Sequence, residues 1–230
     1  LSIRRQRQMC IRDRGDILPI DNVSIASAKI VANIELGTDI EDDEHLRLRY
    51  LQKVREPATS GNIYHYRLWA MEVENIGAAK IFPLWNGNGT VKVMIVNSDM
   101  KSADTLLINK VKTHIEVVRP IGATVTVITP TPKDITITVK LSTSLNANME
   151  LTRLDFKSKI EKYIKDITKE YFANIKANSY FVSLAQVGKH LLESKGVIDY
   201  AELKLNGVTA NIELSAEQIA NITSITLEVM

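Results

Sequence analysis

The hydrophobic and polar positions along this chain change period several times, and each change marks an element. From Val23 to Ile34 the apolar residues alternate roughly with polar ones, and Gly37 closes the run, which predicts short β structure over 15–37. Leu46, Tyr50 and Val54 then recur every four residues beside Leu51, predicting a helix over 38–56 with those side chains as its buried stripe. Thr38 and Glu41 have capping-box spacing, acids crowd the first turns, bases follow, and Pro57 ends the helix. A second helix is expected over 61–73, capped by Ser60, with Tyr64, Leu68 and Met71 or Trp69 inward and Asn75-Ile76-Gly77 as its break.

Strands are expected at 78–84 and 90–97. They are joined through Asn86-Gly87-Asn88-Gly89, residue types that accept positive φ and so favour a hairpin. Leu107, Val111, His114 or Ile115, and Val118 share one face of a helix over 102–118. A strand follows at 123–129. Thr129-Pro130-Thr131-Pro132-Lys133-Asp134 breaks the pattern, since each proline pushes the residue before it towards extended backbone, and a domain boundary with a hinge at Pro130 and Pro132 is expected there.

Beyond it, Ile135, Ile137, Val139 and Leu141 alternate with polar residues as a half-buried strand. Ile160, Ile164, Ile167, Tyr171 and Ile175 form the apolar face of a helix over 151–176. A helix at 183–194 and strands at 197–205 and 222–229 complete the reading. The fold class is therefore α+β: two small two-layer α/β modules, the C-terminal one ferredoxin-like or related. The organisation is a remnant of a preceding β-rich domain at 15–37, a central domain at 38–129 and a C-terminal domain at 130–230, with the N-terminal part truncated.

Composition changes this picture at one place. Apolar residues make up 45% and charged residues 24% of the 230, ordinary for a globular chain. The net charge of +2 rests on residues 1–14, and without their five arginines and one aspartate it becomes −2. That segment has no apolar period, contains the lone Cys10 and resembles translated sequencing-adapter sequence, so it reads as non-native; the rival reading is a basic arm for nucleic acid. No apolar run approaches the roughly 18 residues of a membrane span.

Candidate chemistry is sparse. The acids Asp39, Glu41, Asp42, Asp43 and Glu44 beside His45 are accounted for by helix capping and lack the ligand spacing of a calcium loop. His45, His65, His114 and His190 fit no zinc spacing. The 86–89 loop joins two strands and lacks a P-loop's Lys-Ser/Thr. The lysines of 157–169 alternate with acids as a solvated helix face. No catalytic, cofactor-binding or metal residue is expected. Tyr66, Trp69 and Trp85 divide between core packing and an interface, where such aromatics are enriched.

An ordered set of motifs resembles one family. It runs through Gly37-Thr38-Asp39, Glu44-x-Leu46-Arg47-x-Arg49 and Pro57-Ala58-Thr59-Ser60-Gly61-Asn62. Tyr66-x-x-Trp69-Ala70-x-Glu72-Val73, Gly77-Ala78-Ala79-Lys80 and Pro83-Leu84-Trp85-x-Gly87-x-Gly89-Thr90-Val91 follow, and Arg119-Pro120-Ile121-Gly122-Ala123-x-Val125 ends it. The chain is similar in these to the baseplate J-like proteins of contractile phage tails, from about Gly37 onward, more loosely over its last hundred residues.

The resemblance implies a non-enzymatic structural subunit of the baseplate wedge, from a phage, a prophage or a tailocin. Such a subunit assembles in the host cytoplasm with other wedge and hub proteins, and with copies of itself, into a ring in the virion tail. It implies no cofactor, nucleic acid, membrane or small-molecule substrate. The competing readings are a tail-associated cell-wall hydrolase, which needs paired carboxylates in a cleft, and a nucleic-acid-binding protein using the basic arm.

Overall fold

The computed structural model describes residues 16–17, 28–29, 42–55, 58–145 and 147–230. The chain divides into two compact units, Leu1–Pro57 and Ala58–Met230. In the first, β1 (Asp16–Ile17) pairs antiparallel with β2 (Ala28–Lys29), and α1 covers Asp43–Arg55. The rest of the 15–37 expectation, the Thr38–Glu41 cap and the whole of 1–14 lie outside the described residues. The buried stripe of α1 is corrected: Leu46 is half-buried, but Tyr50 and Val54 are 60% and 58% exposed. Four-residue periodicity identifies a face of a helix; it does not supply what covers that face.

The second unit opens with α2 (Ile63–Met71). Its cap is Asn62 rather than Ser60, the Asn62 Oδ1 accepting from the His65 amide at 2.8 Å. The inward face is rotated from the expected one. Tyr66, Trp69 and Ala70 are buried, while Leu68 and Met71 lie outside. β3 (Ile76–Pro83) and β4 (Thr90–Asn97) form the expected antiparallel hairpin. α3 (Thr105–Val118), capped by the Asp104 carboxylate on the Leu107 amide, crosses over to β5 (Thr124–Ile128), which lies parallel to β4.

This β3-β4-β5 sheet is buried on both faces. Ala79, Ile81, Val93, Ile95 and Val127 meet α2 and α3 on one side. Ala78, Met94 and Val96 meet Tyr171, Phe172 and Ile219 on the other. Two-sided burial explains why both hairpin strands read as nearly continuous apolar runs instead of alternating ones.

The Pro130-Thr131-Pro132 segment is not a loop. β6 begins at Thr131 and runs to Thr143. It is the central strand of a second sheet, between β8 (Val197–Leu205, antiparallel) and β10 (Gln218–Val229, parallel). Proline fits here because Pro132 is the strand's second residue, where a missing amide costs little. Ile135, Ile137, Val139 and Leu141 are buried as expected, beneath α4 (Met149–Ala173) and α5 (Leu184–Leu192). The opposite face carries Thr136, Thr138 and Lys140, making the alternating pattern of a one-sided sheet. A small separate pair, β7 (Ser179–Val182) with β9 (Ile212–Ser215), adds Val182 and Leu214 to the same core. The α+β class holds, with two sheets each backed by helices.

α4 has 25 residues and so spans roughly 37 Å. Its Phe156 and Ile160 pack on the second sheet, and its Tyr171 and Phe172 reach the first. One helix thus contributes to both cores.

Candidate interface surface

Of the three aromatic residues weighed between core packing and an interface, two are buried. Tyr66 and Trp69 are 2% and 7% exposed, packed edge to face at 5.1 Å in the core under α2. Their size makes them the filling of that core, so as contacts for a partner they are corrected to packing residues. Trp85 is different. It stands at the tip of the β3–β4 hairpin, 42% exposed, beside Leu84 at 61%. The tip is bent by positive φ at Leu84, Gly87 and Gly89.

Backbone bonding brings a second loop to this tip. The Thr124 amide donates to the Gly89 carbonyl at 2.7 Å, which sets residues 119–123 beside 84–89. Ile121 projects from that loop with its side chain fully in solvent. Arg119 is held there by the Ala123 carbonyl and the Glu116 carboxylate, and that guanidinium lowers the Glu116 carboxyl below the usual range. Trp85 is held from beneath by Lys92, whose ammonium lies 4.1 Å from the ring centroid and 2.6 Å from Glu217 Oε1. The end of the sheet therefore presents three apolar side chains, Leu84, Trp85 and Ile121, on a fixed base.

The Pro130–Pro132 site is tied on both sides. Pro130 is buried and its carbonyl accepts from Ser102 Oγ at 2.8 Å. Thr129 Oγ1 accepts from the Ala103 amide at 2.7 Å and donates to the Ile95 carbonyl at 3.2 Å. The Thr131 amide donates to the Glu217 carbonyl at 2.8 Å. An open cleft of about 650 Å³ lies nearby, with Asp99, Lys101, Glu161, Lys162 and Lys165 among its walls. Its charges are mixed and solvated, and Lys165 pairs loosely with Asp99 at 3.7 Å.

Away from the cleft, the Glu116, Asp155 and Glu202 carboxyls are all lowered, chiefly by a basic side chain hydrogen-bonded to each. Among the described residues no group of three His, Cys, Asp or Glu is placed to hold a metal ion, and no helix is long and apolar enough to cross a membrane.

One residue, quoted in the sequence reading only as part of the Gly77-Ala78-Ala79-Lys80 motif, was given no role there. Lys80 is 2% exposed in the middle of β3. Its ammonium donates to the carbonyls of Tyr171 at 3.1 Å and Asn174 at 2.6 Å, and lies 4.0 Å from the centre of the Tyr171 ring. Burial pushes its pKa down to about 8, and the Arg67 guanidinium acts in the same direction. The available signal was a lone lysine inside the apolar run Ile76–Phe82.

Two family models match consecutive stretches of the chain. The Baseplate J-like central domain matches residues 58–129, and the Baseplate J-like protein C-terminal domain matches 134–228. The protein YqbT of Bacillus subtilis (strain 168) is 34% identical over 220 residues, covering 92% of this chain and 61% of that protein. The phage-like element PBSX protein XkdT of the same organism is 34% identical over 212 residues, covering 89% and 59%. Baseplate protein gp47 of Escherichia phage Mu is 38% identical over 72 residues, 31% of this chain and 20% of its own. The chain thus spans about three fifths of the length of its two B. subtilis relatives. A chain in the cryo-EM structure of the anti-feeding prophage baseplate shares the fold, with a TM-score of 0.53 at 11% identity over 86% of this chain and 48% of that one.

Proposed function

This chain belongs to the baseplate J-like family, and from that premise we propose that it is a structural subunit of a phage-type tail baseplate. The observation that carries the proposal is the pair of family matches, central then C-terminal, in order over 58–129 and 134–228. The relatives named as a phage-like element protein and as a phage baseplate protein support it.

In finer detail, the proposed role is that of a wedge subunit in a contractile tail or tailocin. It would join wedge and hub neighbours, and further copies of itself, in a ring around the tail. Its place would be the virion baseplate after assembly in the host cytoplasm. The reading of the chain as non-enzymatic is part of the same proposal. The physical support is the contrast between a rigid, apolar, exposed sheet end at Leu84, Trp85 and Ile121 and a shallow cleft whose charges are solvated. Aromatic anchors on a fixed base are what contact surfaces use.

The test is co-expression of the chain with the products of the reading frames flanking its gene, capture through a tag on this chain, and negative-stain imaging. Complexes of fixed stoichiometry that close into wedges or rings are expected. A chain that elutes alone as a monomer, ignoring those neighbours, would overturn the proposal.

A further inference from the structure

The two sheets of 58–230 are joined by more than the chain between them, and the strongest link is a buried charge. α4 is rooted on the second sheet through Phe156 and Ile160, while its last turn lies against the first sheet. At that last turn the carbonyls have no further helical amide to accept from. They carry the negative end of the helix dipole. Lys80, projecting from β3 on the face shared with Ala78, places its ammonium between two of these carbonyls and over the Tyr171 ring. Around it, Ala78, Met94, Val96 and Met100 from one side and Tyr171, Phe172 and Ile219 from the other form a single buried cluster.

We propose that Lys80 is a lock: it clamps the C-terminal end of α4 to β3, so that residues 58–230 move as one body and the Thr129–Asp134 segment does not act as a hinge. Opening the two sheets would break both Lys80 hydrogen bonds and expose the apolar cluster around them to water in one event. The clamp is geometric: one side chain of β3 is bonded to two backbone carbonyls at the end of α4. The segment itself adds ties: Thr129 to Ile95 and Ala103, Pro130 to Ser102 and Thr131 to Glu217. The inference does not depend on the assembly reading; it concerns which part of this chain can bend.

The experiment is a distance measurement by double electron–electron resonance. The full chain would carry Cys10→Ser and spin labels at Lys110→Cys on α3 and Gln186→Cys on α5, both exposed positions. The label pair is compared in four backgrounds: otherwise wild type, Pro130→Gly with Pro132→Gly, Lys80→Met, and all three together. Narrow distance distributions are expected in the first two, a broader one with Lys80→Met and the broadest in the triple variant. A glycine variant that broadens while Lys80 is present would overturn the proposal, as would a triple variant as narrow as wild type. Should Lys80→Met fail to fold, amide hydrogen exchange on the unaltered protein decides. The amides of Thr131, Phe172 and Ala173 should exchange within about tenfold of Ile137, and exchange faster by about 100-fold or more would sink the lock.

Discussion

Two single residues carry more of this structure than their chemistry suggests. A Cβ on Gly77 would sit 2.2 Å from the Asn97 carbonyl oxygen, a backbone atom fixed by the β3–β4 ladder at an irregularity in its register. Gly77→Ala should therefore cost about 2–3 kcal/mol in urea unfolding, the range of overpacking in a tight site. A loss below about 0.5 kcal/mol would mean that the bulge relaxes. Lys80 supplies a pH dependence. Its amine has an ordinary value of 10.5 in the unfolded chain and about 8 when folded. Between those values the unfolded chain binds more protons, so the stability contributed by this group rises as pH climbs through the window, and the burial penalty is fully present below about pH 8. Burial raises the facing Tyr171 phenol from 10.0 to about 12, which lowers stability only as pH climbs past about 10 and is shared by the Lys80→Met reference. Urea midpoints measured from pH 7.5 to 10 should climb in wild type relative to Lys80→Met, and parallel curves in the two proteins would show that the amine keeps its solution value.

Elements differ in how far they could be read. The hairpin strands, α3 and the alternating half of β6 were legible because local period, turn chemistry and burial agree there. α2 was legible as a helix but only partly in phase: the expected Tyr64, Leu68 and Met71 or Trp69 and the buried set Tyr66, Trp69 and Ala70 share only Trp69, and only the position of the sheet chooses between them. Its cap was misread for a related reason, since Ser60 and Asn62 are both good caps and Ser60 instead takes the turn, at φ 47°. Asn62→Ala should cost about 1 kcal/mol, read as a lower thermal midpoint, while Ser60→Ala should leave the helix cap intact. β7 and β9 were missed because four-residue strands have meaning only as a pair. The proline stretch reads equally as a linker or as the start of a strand, because X-Pro signals extended backbone, which is also what an early strand position requires. Of the candidate surface, Trp85 was visible in the sequence. Its partners Leu84 and Ile121 were not, because the bond between Thr124 and Gly89 that assembles them joins residues far apart in the chain.

At the scale of the molecule, packing and presentation separate cleanly. Trp85→Ala combined with Ile121→Ser removes exposed apolar surface and no core contact, so the thermal midpoint should stay within a few degrees of wild type. Capture of baseplate neighbours should fall by at least about tenfold if this end of the sheet is a contact centre. Undiminished capture would move the interface elsewhere, and a collapse in stability would show that Lys92 and Glu217 depend on the indole above them.

The parallel pairing of β6 with β10 has a consequence for the order of events on the ribosome. Ile135 and Ile222 are register partners, yet α4, β7, α5, β8 and β9 are all synthesised between them. Helices and the β6–β8 pair can form while the chain is still growing, but one edge of the central strand stays open until the last strand emerges. For that interval the nascent protein displays a long unpaired apolar strand edge, the state most exposed to mispairing with a neighbouring nascent copy. Completion of the second sheet is therefore a late event, tied to the emergence of β10 rather than to the folding of the parts made first.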